Sequence, residues 1–472
     1  MEKPTIILAT SNGVGMGHLV RASAIALALK EYANPIIVSM AGGIAEIPEF
    51  MGIRCEYIPG RDRMWMPRDK WDVYLRDRLL ALVDETGARV MSFDGVVPYP
   101  GVISAKFSHP KLSLVWVRRG LWQKKPQRFV LGLQSQMMDH IIEPGDFARA
   151  YDFGPTANRK DSRLTAPVSL FQRSSALSRD EARKVLGLDL DRPAVLVQLG
   201  TGDNDVNEKM TAALSGLSGW KDLQVILTKS PVGKDGQSLA PAGLDIRVVR
   251  HFPLAEVLLA FDAGVCATGY NGVHELLPAH VPTVFVSNIR GTDDQEARAQ
   301  WCHDMGFALR ANQADLGDIN ATVKKLQDPA VRERLSRKCA ELPEASGGIE
   351  IAKFLHDLAM KNETSRPSWF LYKQLSIQGH LKRGLRHLAY RWLRRLALIY
   401  RALHPHILVQ VTAEEPPTWG SQTSSKELSP LIKSDKKFEH LISGASERYI
   451  ARRKEIARIA YGEKITVIKQ KP

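Results

Sequence analysis

Two stretches of this chain hold most of the residues able to do chemistry. The first, SNGVGMGHLVR from Ser11 to Arg21, sets glycines at 13, 15 and 17 directly before His18. Gly15 and Gly17 let the backbone turn tightly and come close to a ligand, and the helix start that follows offers unpaired N–H groups to a phosphate or carboxylate. An imidazole at the mouth of such a turn is a candidate general base for an attacking hydroxyl, because imidazoles titrate near neutral pH. The competing reading of His18 is a histidine that merely caps the helix.

The second stretch runs from Cys266 to Trp301, CATGYNGVHELLPAHVPTVFVSNIRGTDDQEARAQW. A strand closes in Thr268-Gly269, a turn through Asn271 and Gly272 follows, and a short helix bears Glu275. A glycine-rich turn suits a diphosphate, and a carboxylate accepts hydrogen bonds from both ribose hydroxyls. Beyond the next strand, Asp293, Asp294 and Gln295 form an acid-amide loop suited to sugar hydroxyls. Asp203-Asn204-Asp205 spells a D-x-D pattern, but three residues recur by chance, so no metal site is expected.

The elements that must position these residues read as alternating strands and helices. Strands are expected at Thr5–Thr10, Pro35–Ser39, Arg54–Ile58, Arg89–Phe93, Leu112–Val117 and Asp139–Ile142, with helices at His18–Tyr32 and Lys70–Glu85. After a polar stretch from Pro167 to Arg192, a second series follows at Ala194–Leu199, Leu223–Thr228, Ile246–Val249, Gly264–Ala267 and Thr283–Ser287. Near-continuous apolar strands separated by helices belong to parallel sheets covered on both faces. The expected fold class is therefore α/β, two doubly wound Rossmann-like domains in tandem, residues 1–168 and 169–364, followed by a basic tail, 365–472. Asp94 and Arg119 fall at strand ends on one side of the first sheet, which makes them acceptor-site candidates.

The two stretches together resemble GT-B glycosyltransferases, most closely the peptidoglycan N-acetylglucosaminyltransferases that form lipid II and relatives sharing their C-terminal domain. The resemblance lies in Gly15-Met16-Gly17-His18, Gly200-Thr201-Gly202, Arg250-His251-Phe252-Pro253, Thr268-Gly269, Glu275, Val281-Pro282 and Asp294-Gln295, in the same order along residues 1–360. It implies a UDP-sugar held mainly by the second domain, with Gly200 and Thr201 facing phosphate and Phe252 near the uracil. It also implies an acceptor held by the first domain, with His18 as base for inverting, metal-independent transfer to a hydroxyl. No cofactor is implied, since the UDP-sugar is the donor substrate. A UDP-sugar hydrolase shares the Gly-x-Gly-His-x-x-Arg turn, so hydrolysis remains an alternative, as does a scaffold that binds nucleotide sugar without chemistry.

The net charge of +14 is concentrated in the tail. From residue 365 onward there are 21 Lys and Arg against 8 Asp and Glu, which leaves the preceding residues near neutrality. Leu381, Leu385, Leu388, Trp392, Leu396, Ile399 and Leu403 recur at helical spacing with Lys and Arg between them, a basic amphipathic helix suited to an anionic membrane surface. A membrane-borne or polymeric acceptor fits that partner; nucleic acid fits less well. The opening MEKPTIILATSNG carries no signal-peptide pattern, no stretch is apolar enough to span a bilayer, and the four cysteines form no C-x-x-C pair. A cytoplasmic enzyme, peripheral at the inner face of the cell membrane, is expected.

Overall fold

The computed structural model describes residues 3–11, 16–40, 51–60, 68–124, 135–200, 204–228, 243–249, 251–288, 292–361, 368–370 and 373. The amphipathic stretch 381–403 and most of the basic tail lie outside them, as do Gly15 and Thr201.

Two all-parallel sheets form, one from each series of strands. The first has seven strands: β1 (Thr5–Thr10), β2 (Asn34–Ser39), β3 (Arg54–Tyr57), β4 (Val90–Asp94), β5 (Ser113–Val117), β6 (His140–Gly145) and β7 (Arg163–Pro167), in the order β3-β2-β1-β4-β5-β6-β7. The second has six: β8 (Ala194–Gln198), β9 (Gln224–Thr228), β10 (Asp245–Val249), β11 (Ala263–Ala267), β12 (Thr283–Val286) and β13 (Leu309–Ala311), in the order β10-β9-β8-β11-β12-β13. This is the expected α/β architecture. In both sheets the order reverses beside the first strand, between β1 and β4 and between β8 and β11. A crevice opens beyond the strand ends at such a point.

Strand alternation divides the first core. Ile7 and Phe93 pack under Tyr74, Leu75 and Leu79 of α2 (Arg68–Thr86), while Ile6, Leu8 and Val90 face Leu19 and Ile25 of α1 (Gly17–Leu29). The described residues then add α3 (Pro100–Ser108), α4 (Arg179–Leu186), α5 (Asn204–Leu217), α6 (Tyr270–Leu276), α7 (Gln295–Asp304), α8 (Leu316–Lys324), α9 (Pro329–Cys339) and α10 (Gly347–Lys361). Although α10 follows the second series in the chain, its Ile351, Leu355 and Leu358 complete the first core beside Leu19 and Ile25. The chain thus crosses back, and the second sheet is closed by α8 and α9 before the last helix leaves it.

The stretch 167–192, expected to be merely polar, holds the end of β7 and the whole of α4. A reciprocal capping box between Ser178 and Glu181 starts α4, and Gly187 in the left-handed region (φ 67°) ends it. No helix among the described residues is long and apolar enough to cross a membrane.

Candidate functional site

The β1–β4 reversal brings His18 and Asp94 together across 76 positions of sequence. His18 lies in the first turn of α1, after β1, and Asp94 is the last residue of β4. The His18 Nδ1–H donates to Asp94 Oδ1 at 2.7 Å. One turn along α1, Arg21 donates to the same carboxylate from Nε (2.7 Å, Oδ2) and Nη2 (2.5 Å, Oδ1). Burial alone would raise the Asp94 pKa, but the Arg21 guanidinium and then His18 bring it down to about 2. The ionised carboxylate fixes the proton on Nδ1, which leaves Nε2 of the 18% exposed imidazole as the free basic nitrogen. Both Asp94 oxygens are engaged, Oδ1 by His18 and Arg21 and Oδ2 by Arg21. Beside His18, among the described residues and apart from its own helix and chain neighbours, no atom lies within 4 Å of where a Gly17 Cβ would stand.

The second reversal is built from small residues. Gly200 follows β8 in the left-handed region (φ 96°), a conformation that disfavours side chains. Buried Thr268 and then Gly269 follow β11; Gly269 is the N-cap of α6 and its missing Cβ would meet nothing within 4 Å. Glu275 is part-buried on α6, and no hydrogen bond or ion pair reaches its carboxyl among the described residues. With nothing to offset it, burial pushes the carboxyl up to about 8. Phe252 is part-buried at the entry to the 3-10 segment Leu254–Ala260.

The two crevices face each other through α6 and the 292–294 loop. Asn271 Nδ2 donates to the Gly17 carbonyl at 3.2 Å. The Tyr270 hydroxyl donates to the Gly145 carbonyl (2.7 Å) and accepts from the Val168 N–H (3.0 Å), while Arg21 lies over its ring, 5.1 Å from the centroid. Arg298 donates to Asp146 from Nε (3.0 Å) and Nη2 (2.9 Å), to Asp293 (3.0 Å) and to the Thr268 carbonyl (2.9 Å). His274 donates from Nδ1 to the Tyr270 carbonyl and accepts the Phe147 N–H at Nε2 (3.1 Å). Its pKa falls to about 4, chiefly through burial.

The acid-amide loop has internal partners. Asp294 caps α7 by accepting the Ala297 N–H (3.0 Å), and Gln295 accepts the Asn288 N–H (2.9 Å). Residues 121–123 pair with 292–294 across the domains, through Gln123 N–H to the Thr292 carbonyl (2.9 Å) and Asp294 N–H to the Leu121 carbonyl (3.0 Å). The loop therefore forms a junction between domains as well as a rim of the cleft. Arg119, at the end of β5, faces it with Nη1 3.5 Å from Asp293 Oδ2.

Arg21, Asp146, Tyr270, His274 and Arg298 were assigned no role from sequence. Their signal was present in part, since Arg21 lies three positions after His18 and His274 four after Tyr270, on one helix face each. Asp146 and Arg298 are 152 positions apart, and only the fold pairs them.

No protein-family model matches the chain. Two curated relatives align over nearly their whole length. They are the UDP-N-acetylglucosamine--N-acetylmuramyl-(pentapeptide) pyrophosphoryl-undecaprenol N-acetylglucosamine transferases of Rhodococcus opacus, 25% identical over 77% of this chain and 99% of that protein, and of Rhodococcus jostii, also 25% identical over 77% and 99%. Among solved structures, Acinetobacter baumannii MurG superposes with a TM-score of 0.50 at 16% identity, covering 75% of this chain and all of that one. The Staphylococcus aureus MnaA–UDP complex superposes with a TM-score of 0.54 at 11% identity, covering 77% and 99%. At such identities the structures speak for the fold alone.

Fold, site and relatives define the class: the chain is a glycosyltransferase of GT-B fold. Within that class it resembles the lipid II-forming peptidoglycan N-acetylglucosaminyltransferases, the kind to which both full-length Rhodococcus relatives belong.

Proposed function

We propose that the chain transfers a sugar from a UDP-sugar to a hydroxyl of a lipid-linked acceptor, with inversion at the anomeric carbon. The observation that carries this is the ordered His18–Asp94–Arg21 constellation opening toward the glycine-lined crevice of the second domain. His18 Nε2 takes the acceptor hydroxyl proton as the oxygen attacks the anomeric carbon. The bond from that carbon to the diphosphate oxygen breaks, and UDP leaves with the electron pair. Backbone N–H groups at Gly269–Gly272 receive the diphosphate, the Glu275 carboxylate accepts the ribose hydroxyls, and Phe252 covers the base. Charge on the leaving group is met by protein N–H groups, so transfer proceeds without a metal.

The Rhodococcus relatives carry in their name a pyrophosphoryl-undecaprenol acceptor, which supports a lipid-linked acceptor here. The excess of Lys and Arg beyond residue 365 supports a place at the inner, anionic face of the membrane.

The test is UDP release from a panel of UDP-sugars, with and without acceptor lipid in anionic vesicles and with EDTA present throughout. Acceptor-dependent release that His18→Ala lowers by about 10²–10⁴-fold, with UDP binding retained, is expected. Release that ignores the acceptor makes the protein a hydrolase, and unaltered turnover in His18→Ala removes the base assignment. If the chain without residues 365–472 floats with the vesicles as well as the full chain does, the membrane role of the tail is wrong.

A further inference from the structure

Three guanidiniums, those of Arg21, Arg119 and Arg298, lie close enough to act on one another, and they differ in what they touch. Arg21 is hydrogen-bonded to both oxygens of Asp94, and Arg298 to Asp146, Asp293 and the Thr268 carbonyl. Among the described residues Arg119 makes no side-chain hydrogen bond. Its Nε is buried without a partner among the described residues, and the carboxylate closest to it there, Asp293 Oδ2 at 3.5 Å, is also taken by Gln295 Nε2 at 3.3 Å. The preceding residue shows the contrast, because Arg118 holds Asp161 at 2.8 Å.

Burial is the largest influence on Arg119 and weakens its hold on the proton; Asp293 and, less strongly, Asp146 oppose this, and Arg21 and Arg298 reinforce it as like charges. A planar fork with five donors, its Nε buried without a partner among the described residues and two other guanidiniums close by, is suited to meet an anion. Its position fits one, since β5 neighbours β4, which neighbours β1, so Arg119 shares the rim that carries Asp94 and His18.

We propose that Arg119 is an oxyanion-binding residue of the cleft, taking a phosphate oxygen of a diphosphate-bearing substrate. The proposal rests on the transfer reading above and adds to it the group that receives a diphosphate on the first-domain side. The donor nucleotide and a diphosphate-linked acceptor offer the same chemistry.

Full-length wild type, R119Q and R119K are titrated with UDP, geranyl diphosphate and inorganic pyrophosphate, and the ligand-free proteins are melted. R119Q is expected to lose tenfold or more in affinity for at least one of the three. Loss for UDP assigns the donor, and loss for geranyl diphosphate with UDP unchanged assigns the acceptor. R119K, which keeps the charge without the fork, should lose less. Arg119 helps to keep buried Asp293 ionised, so R119Q is expected to melt somewhat lower than wild type, and affinities are compared at a temperature where both proteins are folded. Affinities within twofold of wild type for all three ligands, or a lowered melting temperature as the sole change, overturn the proposal. If wild type binds pyrophosphate in an Arg119-dependent way but not UDP, the anion site stands and the UDP reading falls. If wild type binds none of the three, both fall.

Discussion

The two crevices occupy equivalent places in their sheets, yet among the described residues an ion-pair triad stands in the mouth of the first, while small residues line the strand ends of the second. His18, Asp94 and Arg21 leave little slack at the β1–β4 reversal, since each is tied to another at hydrogen-bond distance. At the β8–β11 reversal the side chains shrink to Gly200, Thr268 and Gly269, and Glu275 stands there without a partner among the described residues. A group that moves a proton must be held in one tautomer and one orientation, and neighbouring charges do that. A group that receives a ligand needs backbone reach and room, and the ligand brings the charge. In the proposed transfer the same topology would serve chemistry on one side and capture on the other.

The comparison breaks most sharply at Asp94. Asp94→Asn removes the ionised acceptor that fixes the His18 proton on Nδ1 and leaves Arg21 without its anion. Turnover is expected to fall by about 10²–10⁴-fold while the dissociation constant for UDP, measured by calorimetry, stays within a few-fold of wild type. A matching loss in UDP affinity would show that the first crevice also captures donor.

Arg298 tests the junction between the crevices. It carries four hydrogen bonds to groups of both domains, and Arg298→Met would strand Asp146 and Asp293 in a buried setting. A loss of about 3–5 kcal/mol in unfolding free energy is expected by chemical denaturation. If stability is unchanged, the junction is not a structural hinge.

The alternation of strands and helices was legible in the sequence because strands buried on both faces must be apolar throughout, as TIILAT and AVLVQ are. The strands it did not show are Arg163–Pro167 and Leu309–Ala311, which are polar or short and lie at sheet edges, where one side needs no partner strand. His18 and Asp94 were singled out separately, one from a glycine turn and the other from a strand end. Their pairing depends on strand order, which local patterning does not encode. The acid-amide loop shows the converse: Asp294 and Gln295 looked like ligand contacts by type, yet a helix cap and a loop bond also require those types. The return of α10 to the first core was hidden for a similar reason, because an amphipathic helix shows that it has an apolar face but not which sheet will cover it.

The smallest effect, and the one that sharpens the comparison, belongs to Glu275. Its folded pKa of about 8 lies above the usual value of about 4.3, so the ligand-free fold holds a proton that the unfolded chain gives up across that window. Stability relative to Glu275→Gln should therefore match at about pH 4 and fall behind as pH rises toward about 8. After allowance for partial exposure the deficit at the upper end is on the order of 1 kcal/mol, readable in thermal melts. UDP should reverse the trend. Ribose hydroxyls donate to the ionised form, so wild-type affinity is expected to rise with pH until the free carboxyl is fully ionised. The Gln variant should bind with a flat pH profile and about tenfold more weakly at about pH 8. Parallel profiles for the two proteins would mean that the ribose is held elsewhere and that the second crevice needs no charge of its own.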